Sequence, residues 1–116
     1  MEYTEELMKY GLSEKEAKVY LALLKLGPST VNDIAEKADL VRTTTYDVLK
    51  KLKEEGVVGS MNYNKIIYFE AAIPEKLIQI LDERKKHITE IMSGLKQLRK
   101  EKHKRKRKGL TWPLGY

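Results

Sequence analysis

Apolar residues recur along this chain in several rhythms, and each rhythm predicts a different element. Leu7 and Tyr10, three apart, suggest a short amphipathic helix over residues 4–10, with Gly11 as its C-cap. Ser13 and Glu16 have the spacing of a capping box, and Leu12 and Ala17 that of a hydrophobic staple. The helix they start, about residues 14–26, carries Val19-Tyr20-Leu21-Ala22-Leu23-Leu24, apolar on nearly every face, and so is buried on more than one side. Gly27-Pro28 stops it. Thr30 and Asp33 repeat the capping pattern in weaker form before a short helix near 31–37, whose stripe is Val31, Ile34, Ala35 and Ala38. A break of three residues, Asp39-Leu40-Val41, leads to a helix of about 42–54 with Thr45, Val48, Leu49 and Leu52 on its inner face and Gly56 at its end.

The period then changes. Val57-Val58 and Ile66-Ile67-Tyr68-Phe69 read as two strands of a hairpin joined by Met61-Asn62-Tyr63-Asn64-Lys65. Its register is open, because the second run does not alternate. Pro74 then suits the first position of another helix, with Glu75 favourable in its first turn. From there Leu77, Leu81, Arg84, Ile88, Ile91, Leu95 and Leu98 fall at alternating steps of four and three, a heptad seam broken only by Arg84. A single helix from Pro74 to Leu98 would be about 37 Å long, more than a small domain can cover with its own core. The seam therefore predicts a homodimer interface formed by these seven residues.

Helix, helix, short helix, three-residue turn, helix and hairpin is the order of a winged helix-turn-helix, mainly α with a small β-hairpin. The expected organisation is a winged domain over residues 1–72, a coiled-coil-like dimerisation helix over 73–101, and a basic, flexible tail over 102–116. In such a fold the second helix of the two-helix unit enters the major groove of double-stranded DNA by its N-terminal end. That accounts for an arginine and threonines at the head of the helix at 42–54. With Thr45, Val48, Leu49 and Leu52 inward, Arg42, Thr43, Thr44, Asp47, Lys50 and Lys51 lie on or beside the outer face. Arg42 can fork onto guanine O6 and N7, and the threonines offer hydroxyls to phosphate or a methyl group to thymine. Asp47 either reads a cytosine amino group or buttresses Arg42. Thr30, Tyr46, and Asn62, Asn64 and Lys65 of the hairpin complete the candidate contacts. The bland alternatives are a cap for Thr43, a solvated charged face for the lysines, packing for Tyr46 and an ordinary polar turn for the hairpin tip.

Charge alters this picture less than its total suggests. The 116 residues carry a formal charge of +6, yet residues 99–116 hold eight Lys/Arg and one acid. The rest of the chain is left with 15 basic and 16 acidic side chains. The body is near neutral, so a nucleic-acid reading rests on local pattern. Charged residues make up 34%, rich in Lys and Glu, which hints at a heat-tolerant source. With no cysteine, disulfides and thiolate metal sites are out of reach. No apolar run approaches the ~18 residues of a membrane span, and residues 1–20 lack the apolar core of a signal peptide, so a cytoplasmic location is expected.

The stretch at residues 11–58 resembles the N-terminal domain of TrmB-type archaeal transcriptional regulators, with MarR-like winged helices as more distant relatives. The resemblance is carried by Leu12-Ser13, Glu16-Ala17, Val19-Tyr20, Ala35, and Arg42 with Tyr46-Asp47-Val48-Leu49. It implies a DNA-binding homodimer that represses or activates transcription, with Arg42, Thr43, Thr44 and Tyr46 at the DNA. Two positions depart from the pattern: Val41 stands where many relatives have proline, and Thr45 where they have an aliphatic residue. The sugar-binding domain of the larger members has no counterpart in this sequence, so sugar sensing is not carried over from the resemblance, and no small-molecule effector is evident.

An enzyme reading finds little support. His87 and His103 stand apart from any nucleophile or acid cluster, no glycine-rich phosphate loop occurs, and neither a metal nor a cofactor is implied. The rival to a DNA regulator is a winged helix used for protein–protein assembly in a transcription or scaffolding complex, since one fold hosts many functions. RNA binding through the tail alone is a third option.

Overall fold

The computed structural model describes residues 2–105, with side chains through Glu101. Helix α1 (Thr4–Lys9) ends in a turn in which Gly11 takes φ 113°, and α2 (Glu14–Leu26) follows at once. The start of α2 is built by side chains. Ser13 Oγ accepts from the Glu16 N–H at 3.1 Å, and Glu16 Oε1 accepts from the Ser13 N–H at 2.8 Å. Two otherwise unpaired backbone donors are thereby satisfied. Helix α3 (Val31–Ala38) has Thr30 as its N-cap, and Asp39 closes it in the left-handed conformation. Helix α4 (Arg42–Glu54) then starts after two residues.

These helices surround one apolar core. Val19, Tyr20, Ala22 and Leu23 of α2 meet Val31, Ile34 and Ala38 of α3 and Leu49 and Leu52 of α4, with Val57, Val58 and Phe69 closing the base. The one polar tip among them is satisfied, because the Tyr20 hydroxyl donates to the Ala72 carbonyl at 3.0 Å. Burial, helped by the nearby Glu75 carboxylate, pushes the Tyr20 phenol above its usual pKa.

The wing consists of β1 (Val58–Tyr63) and β2 (Ile66–Ala71), antiparallel, in a register running from Val58 opposite Ala71 to Tyr63 opposite Ile66. The loop expected over Met61–Lys65 is mostly strand, and only Asn64 and Lys65 turn. Both take positive φ, 50° and 64°, as a two-residue type I′ turn requires, and that turn matches the twist of the strands it joins. A third short piece completes the sheet: Ser29 exchanges two backbone hydrogen bonds with Phe69, at 2.9 and 2.8 Å. This bridge fastens the wing to the link between α2 and α3. No alternation in the sequence announces it, since a single bridging residue has no period.

Helix α5 (Glu75–Glu90) begins as part of this body. Ile80 is buried in the core, with Leu77 and Leu81 packed beside it. A Cβ on Gly11 would stand 3.2 Å from Leu81 Cδ2, so glycine there answers both to its φ and to Leu81. The head of the expected dimer seam is thus used within the chain itself. The chain divides into two compact units, Met1–Asp82 and Glu83–Tyr116. In the second, Ile88, Ile91, Leu95 and Leu98 are exposed.

The heptad spacing predicts one uninterrupted helix, and the structure has two. Helix α5 stops at Glu90 and α6 (Met92–Arg105) follows after Ile91, whose N–H still donates to the His87 carbonyl at 3.2 Å and whose carbonyl accepts from Leu95 at 3.0 Å. Helix α6 also passes Leu98 and enters the basic run, where the absence of apolar periodicity predicts a flexible segment. Gln, Leu, Arg, Lys and Glu are good helix formers, and residues 97–105 hold neither Gly nor Pro. The remainder of the expected tail, with Trp112, lies outside the described residues. Among those described, no helix is long and apolar enough to cross a membrane.

Candidate nucleic-acid interface

The head of α4 differs from those of α2 and α3 in that no side chain caps it. Val41, extended at φ −70° and ψ 152°, occupies the N-cap. The first-turn N–H groups of a helix have no intrahelical acceptor, so an uncapped end turns them toward whatever lies outside. Thr45, one turn in, is fully buried, and its hydroxyl donates to the Val41 carbonyl at 2.9 Å. That bond satisfies a polar group in the core and so lets Thr45 lie on the buried face of α4. Leu49 and Leu52 continue the buried face. Arg42, Thr43, Tyr46, Asp47 and Lys50 are left exposed on the other side, with Thr44 half-buried at the border.

Two of the candidate side chains, Arg42 and Lys51, have partners that the sequence did not reveal. The Arg42 Nε–H donates to Asn32 Oδ1 on α3 at 2.8 Å, so its buttress is Asn32 rather than Asp47. Lys51 Nζ lies 3.0 Å from Glu16 Oε2, and the Glu16 side chain is only 4% exposed. The residue that caps α2 therefore also holds α4. Its capping role is legible from spacing, whereas the ion pair depends on the angle between two helices. The remaining candidates are dispersed. Thr30 is engaged as the N-cap of α3 through a long contact of 3.4 Å to the Asp33 N–H. Asn62 lies within β1 opposite Ile67, and Asn64 with Lys65 forms the tip of the wing.

By alternation, the outward face of the wing carries Met61, Tyr63, Ile66 and Tyr68, of which the first three are exposed, and at its base the exposed Glu70 opposite Gly59. Its outer half is apolar, with the Lys65 cation at the tip and the Glu70 carboxylate at the base. Among the described residues no group of three or more His, Asp and Glu could hold a metal ion.

Residues 7–75 match the profile of the sugar-specific transcriptional regulators called TrmB. The chain belongs to the TrmB family. Its matched segment runs from the second half of α1 through the wing to the first residue of α5. Among TrmB proteins it is similar to the HTH-type sugar sensing transcriptional regulator TrmBL1 of Pyrococcus furiosus, with 30% identity over 102 residues, 88% of this chain and 30% of that protein. The structure of TrmBL2, an archaeal chromatin protein with a novel mode of DNA binding, superposes with a TM-score of 0.67 at 23% identity, covering 84% of this chain and 39% of that one. A MarR family protein from Bacillus stearothermophilus gives 0.55 at 19% identity, over 86% of this chain and 79% of that one. The fold is accordingly the winged helix-turn-helix, and the chain spans about a third of the length of the TrmB relatives it matches.

Proposed function

We propose that this chain is a cytoplasmic transcriptional regulator that binds double-stranded DNA sequence-specifically as a homodimer, with α4 in the major groove. The observation that carries the reading is the first turn of α4. Arg42 and Thr43 stand outward on an uncapped helix end while Thr45 anchors the same turn in the core. Such an end offers backbone donors to phosphate and a guanidinium to a guanine edge. Membership of the TrmB family supports the same role. In this reading Lys50 and the wing tip, Asn64 and Lys65, meet the sugar–phosphate backbone, Tyr46 and Thr44 flank the bases, and Lys51 serves α4 from behind through Glu16.

Selection of bound sequences from a random duplex pool tests the class directly, and a two-fold related motif is the expected result. On the selected duplex, Arg42→Ala costs about 1–3 kcal/mol and relaxes preference at one base position. Lys50→Ala weakens all duplexes alike and lowers the salt dependence by about one counterion. A second reading, a winged helix that assembles proteins, is favoured by the near-neutral body and by the exposed apolar side chains of Met61, Tyr63 and Ile66 on the wing. A pool that yields no enriched sequence would decide for it.

A further inference from the structure

Arg42 is held before any ligand arrives. Its Nε–H donates to Asn32 Oδ1 at 2.8 Å, a bond between exposed side chains across the two helices of the helix-turn-helix unit. Asn32 is the second residue of α3 and Arg42 the first of α4. The chemistry of the pair is selective. A guanidinium can present two forks, one side-on from Nε and an Nη, the other end-on from both Nη atoms. Asn32 occupies Nε, which removes the side-on fork and leaves the end-on one. The acceptor is an amide oxygen, so it takes one donor without neutralising the charge. Arginine carries about 2 kcal/mol of rotamer entropy, and a tether that restricts it in advance lowers what binding must still order.

We propose that Asn32 is a specificity-determining, positioning residue. It holds Arg42 so that the end-on pair of guanidinium nitrogens meets O6 and N7 of one guanine. The proposal rests on the reading of α4 as the recognition helix and adds to it the device that fixes its principal reader. Without the tether, Arg42 can swing to neighbouring phosphates, where its charge still attracts DNA but reads nothing. Loss of Asn32 therefore damages discrimination at one base pair more than it damages affinity for duplex DNA in general.

The test uses the full chain and the duplex enriched from the random pool, with each guanine replaced in turn by adenine (and its partner to match). Binding is followed by fluorescence anisotropy at fixed salt for the parent, Asn32→Ala, Arg42→Ala and the double variant. Asn32→Ala is expected to lower the guanine preference about two- to tenfold at one position, the same position that Arg42→Ala affects. Other positions, the salt dependence and the melting temperature stay at the parent's values. In the double variant the preference is no lower than in Arg42→Ala alone. An additive loss in the double variant would give Asn32 a base contact of its own and overturn the positioning role. Tighter binding by Asn32→Ala would make the tether an inhibitory latch, which also overturns it. If Arg42→Ala abolishes the preference while Asn32→Ala leaves it intact, the tether alone is wrong. If Arg42→Ala itself leaves every preference intact, the recognition-helix reading has failed first.

Discussion

Lys65 sits at φ 64° in a turn whose two residues must both be left-handed. Asparagine tolerates that region, and Asn64 occupies the first position, but the second is ordinarily glycine. A lysine there costs about 1–2 kcal/mol in steric strain, partly offset by the smaller entropy it loses on folding. A cation kept in a strained position at the tip of a wing is what a backbone contact to DNA would require. Lys65→Gly is accordingly expected to raise the stability of the domain by about 0.5–1 kcal/mol in chemical denaturation. In the same variant, duplex affinity falls for all sequences alike, with a shallower salt dependence. Greater stability with unchanged affinity would leave the wing tip no part in binding.

Between elements, the pair formed by Glu16 and Lys51 ties the first turn of α2 to the third turn of α4. Its two ends are unequal. Glu16 is buried and Lys51 is 59% exposed, so the carboxylate is the group that needs its partner. Lys51→Met leaves a buried charge short of a donor and should cost about 1–3 kcal/mol of stability. Glu16→Gln keeps an oxygen for the Ser13 N–H and removes the charge, and should cost about 0.5–1.5 kcal/mol. With both changes together, no buried charge is left behind, and the double variant should be no less stable than Lys51→Met alone. Urea unfolding of the three variants checks this order. Equal, additive losses would mean that the two residues do not act through each other.

For the whole molecule the open question is what covers the second unit. Ile88, Ile91, Leu95 and Leu98 stand exposed at 52%, 43%, 44% and 65% in the single chain. Burying a large apolar side chain fully is worth roughly 1.5–3 kcal/mol, and these are about half exposed. Two copies together would then gain on the order of 6–12 kcal/mol, against an association cost of about 4–15 kcal/mol. A homodimer built on this face alone is marginal and depends on concentration. Sedimentation should show a dimer that dissociates on dilution. Ile88→Glu, Leu95→Glu and Leu98→Glu together should give monomers at every concentration and half-site binding only. Leu81 is spared in this test because it packs on Gly11 within the first unit. A triple variant that still sediments as a dimer would move the interface elsewhere, with α1 around Leu7 and Tyr10 the next surface to vary.

Caps, periods and turn residues are local, and so the order of the elements could be read from the chain. Ser13 with Glu16, the apolar face of Thr45, Leu49 and Leu52, and the break at Asp39–Val41 each depend on neighbours within about one helical turn. The outward direction of Arg42 follows from the same periodicity. The partners of those outward groups depend on how helices cross, which no local pattern encodes. Asn32 reaches Arg42 only because α3 and α4 meet at their N-terminal ends, and Glu16 reaches Lys51 only because α2 passes behind α4. The seam shows the same division. A spacing of four and three marks Leu77 and Leu81 as apolar neighbours of Ile88, but not what covers each of them. In the folded chain the first two lie against the body's own core, because α5 begins there, while Ile88 stands in water.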